Sequence, residues 1–189
     1  MKNNIILIGY MGCGKSTVGK KLAGMCQTCF LDTDAWIEEK EGITISELFA
    51  AKGEAYFRDL ETECLKELLK EREVNEKSEI SQNEIMALKS KEKKEGYIIS
   101  VGGGLPVREE NQKLLQKLGT VIYLKAKPET IYERVKGDTT RPLLQTENPL
   151  QKIKDMMAAR EENYQAAAHS VILIDGKSVS EIVSEIKKV

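Results

Sequence analysis

One glycine-rich stretch, GYMGCGKST at residues 9–17, most constrains what this chain can fold into. It comes directly after a short apolar run, Ile5 to Ile8, and directly before a segment whose apolar residues recur at helical spacing. Because the run is apolar without alternation, it predicts a strand buried on both faces, as in a parallel sheet. A glycine turn that leads from such a strand into a helix is typical of α/β folds.

The same stretch fits the phosphate-loop pattern GxxxxGK[ST]. Its glycines allow the backbone N–H groups to turn inward, where they and the helix N-terminus hold phosphate oxygens. Lys15 is predicted to reach the β- and γ-phosphates, and the Ser16 hydroxyl to bind Mg²⁺. The pattern predicts ATP or GTP binding with Mg²⁺ and leaves the phosphate acceptor open. The predicted nucleotide-binding residues in the loop are Gly12, Cys13, Gly14, Lys15, Ser16 and Thr17.

Strand and helix patterns alternate along the rest of the chain. Short apolar runs predict further strands at 29–32, 97–101, 121–124 and 170–174. Helices are predicted at 16–25, 35–41, 43–51, 54–72, 108–118, 128–136 and 150–164, and after a capping box at Ser178 and Glu181. The alternation predicts one α/β domain over 1–189, a doubly wound five-stranded parallel sheet with helices on both faces and ligands at the carboxyl ends of the strands.

Composition and charge exclude several classes of protein. The 189 residues are 41% hydrophobic and 31% charged, which is enough to build a core without disulfides or a structural metal. A net charge of -1 gives no basic excess for nucleic acid, and the apolar runs are too short for a bilayer. With no signal-peptide pattern, we expect a cytoplasmic monomer that binds small molecules.

The cysteines do not form a metal-binding pattern. Cys26 and Cys29 have CxxC spacing, but they lie between a predicted helix and a predicted strand, and the only histidine is His169. We expect all four cysteines to be reduced, without a metal.

Three groups of polar residues are candidates for binding the acceptor. Asp32 and Asp34 follow the second predicted strand, where nothing in a strand end requires two acids. Arginines suit an acidic acceptor because their planar fork matches a carboxylate, and Arg58 and Arg160 are candidates. Glycines 102–104 allow close approach of a small ligand. Alternatively, each arginine pairs with a nearby acid (Glu54, Glu61, Asp155 or Glu161), and the glycines form an ordinary turn.

In combination and in order, these motifs resemble the shikimate kinase family over nearly the whole chain. The segments that carry the resemblance are GYMGCGKSTVGKKLA at 9–23, FLDTDAWIE at 30–38, GITISELFAAKGEAYFRDLE at 42–61, SVGGGLP at 100–106, VIYLKAKPETIYERV at 121–135, RPLL at 141–144 and REENY at 160–164. The resemblance implies transfer of the ATP γ-phosphate to the 3-hydroxyl of shikimate, a step toward chorismate and the aromatic amino acids.

The resemblance also implies roles for individual residues. Shikimate would be held by Asp34, Arg58, Gly102, Gly103, Gly104 and Arg160. The two arginines would grip the carboxylate, while Asp34 would orient the reacting hydroxyl or act as its base. Asp32 would meet Mg²⁺ through water, since Ser100 ends the third strand where many phosphate-loop proteins have an aspartate. If strand geometry continues past Asp32, both aspartates point to the same side.

Two loops complete the predictions. A polar loop at about 136–149 is predicted to be a lid whose Arg141 stabilises charge on the transferred phosphoryl group. Lys177 falls near the family's adenine-binding loop.

The charged segment 66–95 contains an insertion relative to the family. We interpret this segment as a solvated helical extension or a loop, with a partner-binding arm as the alternative.

Two rival functions remain open. One is another small-molecule kinase, such as a gluconate or nucleoside monophosphate kinase. The other is a nucleotide-gated switch without an acceptor, although the chain has no Asn-Lys-x-Asp guanine motif.

Overall fold

A computed structural model describes residues 4–77, 96–137 and 146–189. Within these ranges the chain forms one five-stranded sheet in which every neighbouring pair of strands is parallel, in the order β2-β3-β1-β4-β5. The predicted α/β doubly wound fold is therefore confirmed. The strands are β1 (Asn4–Ile8), β2 (Cys29–Asp32), β3 (Tyr97–Ser100), β4 (Gly119–Lys125) and β5 (Ser170–Leu173).

Helices pack against the sheet between the strands. They are α1 (Lys15–Cys26), α2 (Thr33–Glu41), α3 (Ile45–Lys77), α4 (Glu109–Leu118), α5 (Pro128–Val135), α6 (Pro149–Ala167) and α7 (Val179–Ile186). The first helix contacts β1, β2, β3 and α7, whereas α4 contacts α3, α6 and β4. A short 3-10 helix at Leu105–Val107, absent from the sequence prediction, connects β3 to α4 and contacts both α4 and α6.

Local signals in the sequence explain where several helices begin and bend. The predicted capping box is present at α7, where Ser178 and Glu181 each bond to the backbone of the other. Thr44 and Glu47 make the same reciprocal contacts at the start of α3. Gly53 interrupts α3 with φ 80° and ψ 170°, which agrees with the predicted break between two helical segments.

The core lies on both faces of the sheet. All five residues of β1 are buried, which is typical of a central parallel strand. A second, smaller cluster joins Ile37 of α2 to Leu48, Phe57 and Leu60 of α3. This cluster anchors the helical segment that carries Arg58.

The prediction about the geometry after β2 is wrong. Strand geometry does not continue past Asp32, because α2 begins at Thr33 and Asp34 already lies in its first turn. Asp32 is the N-cap residue of α2, and its Oδ1 accepts a hydrogen bond from the Asp34 amide at 3.1 Å. Asp32 therefore has a structural task that the sequence prediction denied, because it satisfies an amide that the helix leaves unpaired.

The charged segment at 66–95 is only partly described. Its first residues, through Lys77, continue α3. This part is not a fully solvated helix as interpreted from the sequence, because Leu68 is buried and Leu69 packs against the main core. The remainder of that segment lies outside the described residues, as does most of the predicted lid, including Arg141. In the described part of the chain, no helix is long and apolar enough to cross a membrane.

We predict that two glycines of α1 respond in opposite ways to alanine. A Cβ on Gly19 would lie 2.4 Å from Cε2 of Phe30, so Gly19→Ala should lower the free energy of unfolding by about 1–3 kcal/mol. Gly24, in the same helix, has nothing within 4 Å of the added atom. Gly24→Ala should therefore raise stability by about 0.5–1 kcal/mol through helix propensity. Urea denaturation measures both, and equal effects would contradict the packing argument.

Candidate active site

The phosphate loop forms an open cradle between β1 and α1. Gly12 and Gly14 have φ of 75° and 95°, a region that residues with a side chain rarely adopt, so the loop depends on glycine at these positions. Gly14 is the N-cap residue of α1 and provides no side-chain cap, which leaves the first amides of the helix for an anion. Lys15 folds over the loop, with its Nζ 2.9 Å from the Gly9 carbonyl oxygen.

Oxygen ligands for a cation meet beside the loop. Ser16 Oγ donates to Asp32 Oδ2 at 2.8 Å and lies 3.4 Å from Ser100 Oγ. Asp32 and Ser100 are partners in the parallel register of β2 and β3, which explains why they are adjacent. Two protein oxygens fit Mg²⁺, which takes its remaining ligands from phosphate and water. The structure thus brings together the predicted metal-binding residues.

Two pockets share one wall that contains Asp34. The first, of about 390 Å³, is lined by Gly12, Gly14, Lys15, Ser16, Thr17 and Asp32 among others. The second, of about 250 Å³, is lined by Arg58, Gly104 and Arg160 together with apolar side chains. Asp34, Gly102 and Gly103 line both pockets. Ligands in the two pockets can therefore meet at Asp34.

Asp34 and Glu61 crowd together at Gly102. A Cβ on Gly102 would lie 2.6 Å from Asp34 Oδ1 and 2.8 Å from Glu61 Oε1. These are the two buried side-chain oxygens that lack a hydrogen-bond partner in the described part of the chain. Because such oxygens are costly, they point to donors that a ligand supplies.

Burial raises the pKa of both carboxyl groups. The pKa of Asp34 rises to about 6, chiefly through burial and also through the charge of Asp32, while Lys15 and Arg58 oppose the rise. Burial raises the pKa of Glu61 to about 7 against the opposing effect of Arg58. Shifted carboxyl groups in a cleft are typical of functional sites.

The two predicted arginines lie beside neighbouring glycines, Arg58 at Gly104 and Arg160 at Gly103. Arg58 contacts Glu54 and Glu61 on its own helix, so the alternative ion pairs are present, yet Arg58 also lines the second pocket. A Cβ on Gly104 would lie only 2.3 Å from Arg58 Nη1, so a side chain at this position would displace the guanidinium from its present place. Arg160 reaches from α6, with Nη1 3.5 Å from the Gly103 carbonyl oxygen.

The sequence prediction missed two residues of this region. The sequence prediction considered Glu61 only as a partner for Arg58. Glu61 nevertheless falls in the apolar stripe of α3 with Leu60 and Cys64. An acidic residue in such a stripe is a sign of a buried carboxyl group. Arg134 lines the first pocket and donates to the carbonyl oxygens of Gly12 and Cys13 at 3.3 and 3.2 Å. No local pattern distinguished it from other basic residues at a helix end.

Some predicted residues are not brought into the pockets. Cys13 is buried and is not among the residues that line either pocket. Lys177 follows β5 and pairs with Glu185 at 2.7 Å. Arg141 lies outside the described residues, so its position beside the phosphates stays a prediction.

The fold and the site define a phosphate-loop kinase that acts on a small molecule. A sequence model of the shikimate kinase family matches residues 11–77 and 73–189. The chain belongs to the shikimate kinase family, as its motifs predicted.

Similarity to relatives extends over nearly the whole chain. The chain is 38% identical over 183 residues to a shikimate kinase of Sulfurihydrogenibium sp., and the alignment covers 97% of this chain and 95% of the relative. The chain is also 39% identical over 183 residues to a shikimate kinase of Persephonella marina, and this alignment covers 97% of this chain and 96% of the relative. The structure resembles that of a shikimate kinase from Acinetobacter baumannii in complex with shikimate, with a TM-score of 0.80 and 34% sequence identity. The match covers 98% of this chain and 91% of the Acinetobacter chain.

The raised pKa of Glu61 predicts that stability falls as the pH rises. The folded protein holds a proton that the unfolded chain releases, so stability is greatest below the ordinary glutamate pKa and is lost as the pH passes about 7. Between about pH 5 and about pH 8, Glu61 should lower the free energy of unfolding by about 2–3 kcal/mol. Asp34 acts in the same direction with its pKa of about 6.

Denaturation of Glu61→Gln at several pH values tests this dependence. In this variant the free energy of unfolding should fall much less as the pH rises, because glutamine does not titrate. Glu54→Gln is the matched control, since it removes the other, exposed carboxylate that contacts Arg58. An unchanged slope in Glu61→Gln, or an equal loss of slope in both variants, would contradict the assignment.

Proposed function

We propose that this protein transfers the γ-phosphate of ATP to the 3-hydroxyl of shikimate, giving shikimate 3-phosphate and ADP for the synthesis of chorismate and aromatic amino acids. The observation that carries the proposal is the position of Asp34, which lines both the phosphate-loop pocket and the pocket between the two arginines. An acceptor hydroxyl held at this carboxylate faces the phosphate side directly, as in-line transfer requires.

On the nucleotide side, the loop amides and Lys15 bind the phosphates. Lys15 rests on the Gly9 and Tyr10 carbonyl oxygens, from which its ammonium can move to the β- and γ-phosphates. It then offsets negative charge as the γ-phosphoryl group transfers. Arg141 is proposed to add a second positive charge from the lid and to exclude water. The proposed ATP-binding set also includes Lys177.

On the acceptor side, the second pocket suits a small cyclic acid. Arg58 and Arg160 hold the carboxylate, and Ile45, Phe49 and Phe57 are available to contact the C–H groups of the ring. Asp34 accepts a hydrogen bond from the reacting hydroxyl, either orienting it or taking its proton.

The metal-binding pair completes the proposed site. Ser16 would bind Mg²⁺ directly and Asp32 would hold it through water, and the ion would supply charge neutralisation on the transferring phosphate. A single domain over 1–189, a monomeric state, a cytoplasmic location, and the absence of nucleic-acid or membrane partners likewise remain part of the proposal.

A substrate panel tests the reaction. Coupled release of ADP should be rapid with shikimate and Mg·ATP and near background with gluconate or a nucleoside monophosphate. Turnover of one of those acceptors without turnover of shikimate would overturn the proposal. Retained ATP binding without transfer to any acceptor would favour a nucleotide-gated switch.

Paired asparagine substitutions separate the roles of the two aspartates. Asp34→Asn should lower kcat with shikimate by about 100-fold or more while ATP affinity changes little. Asp32→Asn should instead raise the Mg²⁺ concentration for half-maximal activity by about 10-fold, since asparagine still caps α2. Steady-state kinetics with Mg²⁺ titration, and calorimetric ATP binding, measure both effects. Indistinguishable defects would contradict the division of roles.

A further inference from the structure

The REENY segment contains a tyrosine that the proposed reaction does not use. Tyr164 lies on α6, one turn after Arg160, and is 1% exposed. Its hydroxyl donates a hydrogen bond of 2.6 Å to the Gly103 carbonyl oxygen. Tyr164 is not among the residues that line the second pocket, but it contacts two that are: Gly103 through this hydrogen bond, and Arg160, whose side chain interacts with the Tyr164 hydroxyl.

This hydrogen bond fixes the plane of the peptide that joins Gly103 to Gly104. In a trans peptide the C=O and the N–H point in opposite directions. With the carbonyl held toward Tyr164, the Gly104 N–H points the opposite way within the same plane, and Gly104 lines the acceptor pocket. The amides of Gly103 and Gly104 have no acceptor among the residues that the structure describes. Such free N–H groups are donors available to a ligand.

The same peptide lies between the two arginines of the pocket. Arg58 packs against Gly104, and Arg160 contacts the carbonyl that Tyr164 holds. Glycine has no side chain to resist rotation of this peptide, so its orientation must be set from outside. The hydroxyl of Tyr164 supplies that restraint and links the glycines to the helix that carries Arg160.

The ring of Tyr164 is itself held in place. It packs against Tyr123 of β4 with ring centroids 5.1 Å apart. The Tyr123 hydroxyl donates to Glu161 at 2.8 Å, and Lys125 pairs with the same carboxylate. The hydroxyl of Tyr164 therefore reaches Gly103 from a rigid support, as precise positioning requires.

We propose that Tyr164 is a positioning residue for the acceptor: by holding the Gly103 carbonyl, its hydroxyl aims the Gly104 N–H at the acceptor carboxylate between Arg58 and Arg160. The inference rests on the proposed function, because it assigns that carboxylate to this pocket. The residue itself makes no contact with the acceptor.

Kinetics of Tyr164→Phe test the proposal, since phenylalanine keeps the ring and removes the hydroxyl. The KM for shikimate should rise by about 5- to 20-fold, with less than about a 3-fold change in kcat or in the KM for ATP. Tyr123→Phe is the matched control, because it removes a buried hydroxyl from the same ring pair without a bond to the glycines. It should leave the KM for shikimate within about 2-fold of wild type.

The outcomes are distinguishable. If the wild-type protein turns over shikimate and the KM of Tyr164→Phe is unchanged, this inference fails while the proposed function stands. If Tyr123→Phe raises the KM equally, Tyr164 has only a structural role. If the wild-type protein does not phosphorylate shikimate, the proposed function fails first.

A second experiment uses the wild-type protein, so its result does not depend on whether the Tyr164→Phe variant folds. With glycine amides labelled with ¹⁵N, shikimate should shift the Gly104 resonance strongly, as expected for a new hydrogen bond to carboxylate. The exposed Gly24 amide is the internal reference and should stay unchanged. A Gly104 resonance that does not respond to saturating shikimate would overturn the proposal.

Discussion

The crowding of two carboxylates at Gly102 is the constraint on which the rest of the site depends. Asp34 Oδ1 and Glu61 Oε1 are buried without partners, and burial raises the pKa of each carboxyl group. Burying like charges is costly unless cations or protons compensate. Arg58 compensates in part, through a 2.8 Å contact with Glu61 Oε2. The raised pKa values of Asp34 and Glu61 reflect the cost of burying two carboxyl groups at this point.

The fold places this constraint at the edge of three adjacent strands. Because β1, β3 and β2 are neighbours in the sheet, the phosphate loop, the glycines after β3 and the aspartates after β2 emerge side by side. The two arginines come from α3 and α6, which pack around the same end of the sheet through the short 3-10 helix. Five separate chain segments thus meet in one cleft, as the topology of open parallel sheets favours.

Elements with strong local signals could be predicted from the sequence, whereas contacts between distant segments could not. The phosphate loop, the buried strands and the capping box at Ser178 follow from residue type and spacing alone, and the structure has them. Glu61 was missed because its spacing from Arg58 also suits an exposed ion pair, and only the packing of α3 shows that it is buried. The bond from Tyr164 to Gly103 joins residues 61 positions apart, so no local pattern could reveal it.

Asp32 shows how one side chain serves both the fold and the proposed chemistry. Its Oδ1 accepts the Asp34 amide and so begins α2, while its Oδ2 accepts the Ser16 hydroxyl at the proposed Mg²⁺ site. The change from strand to helix after Asp32 then turns Asp34 toward the acceptor pocket. The two acids are therefore separated by a change of backbone direction, not by strand alternation. Because Asp32 caps the helix whose first turn contains Asp34, the two neighbouring carboxylates can face the proposed metal site and the proposed acceptor hydroxyl respectively.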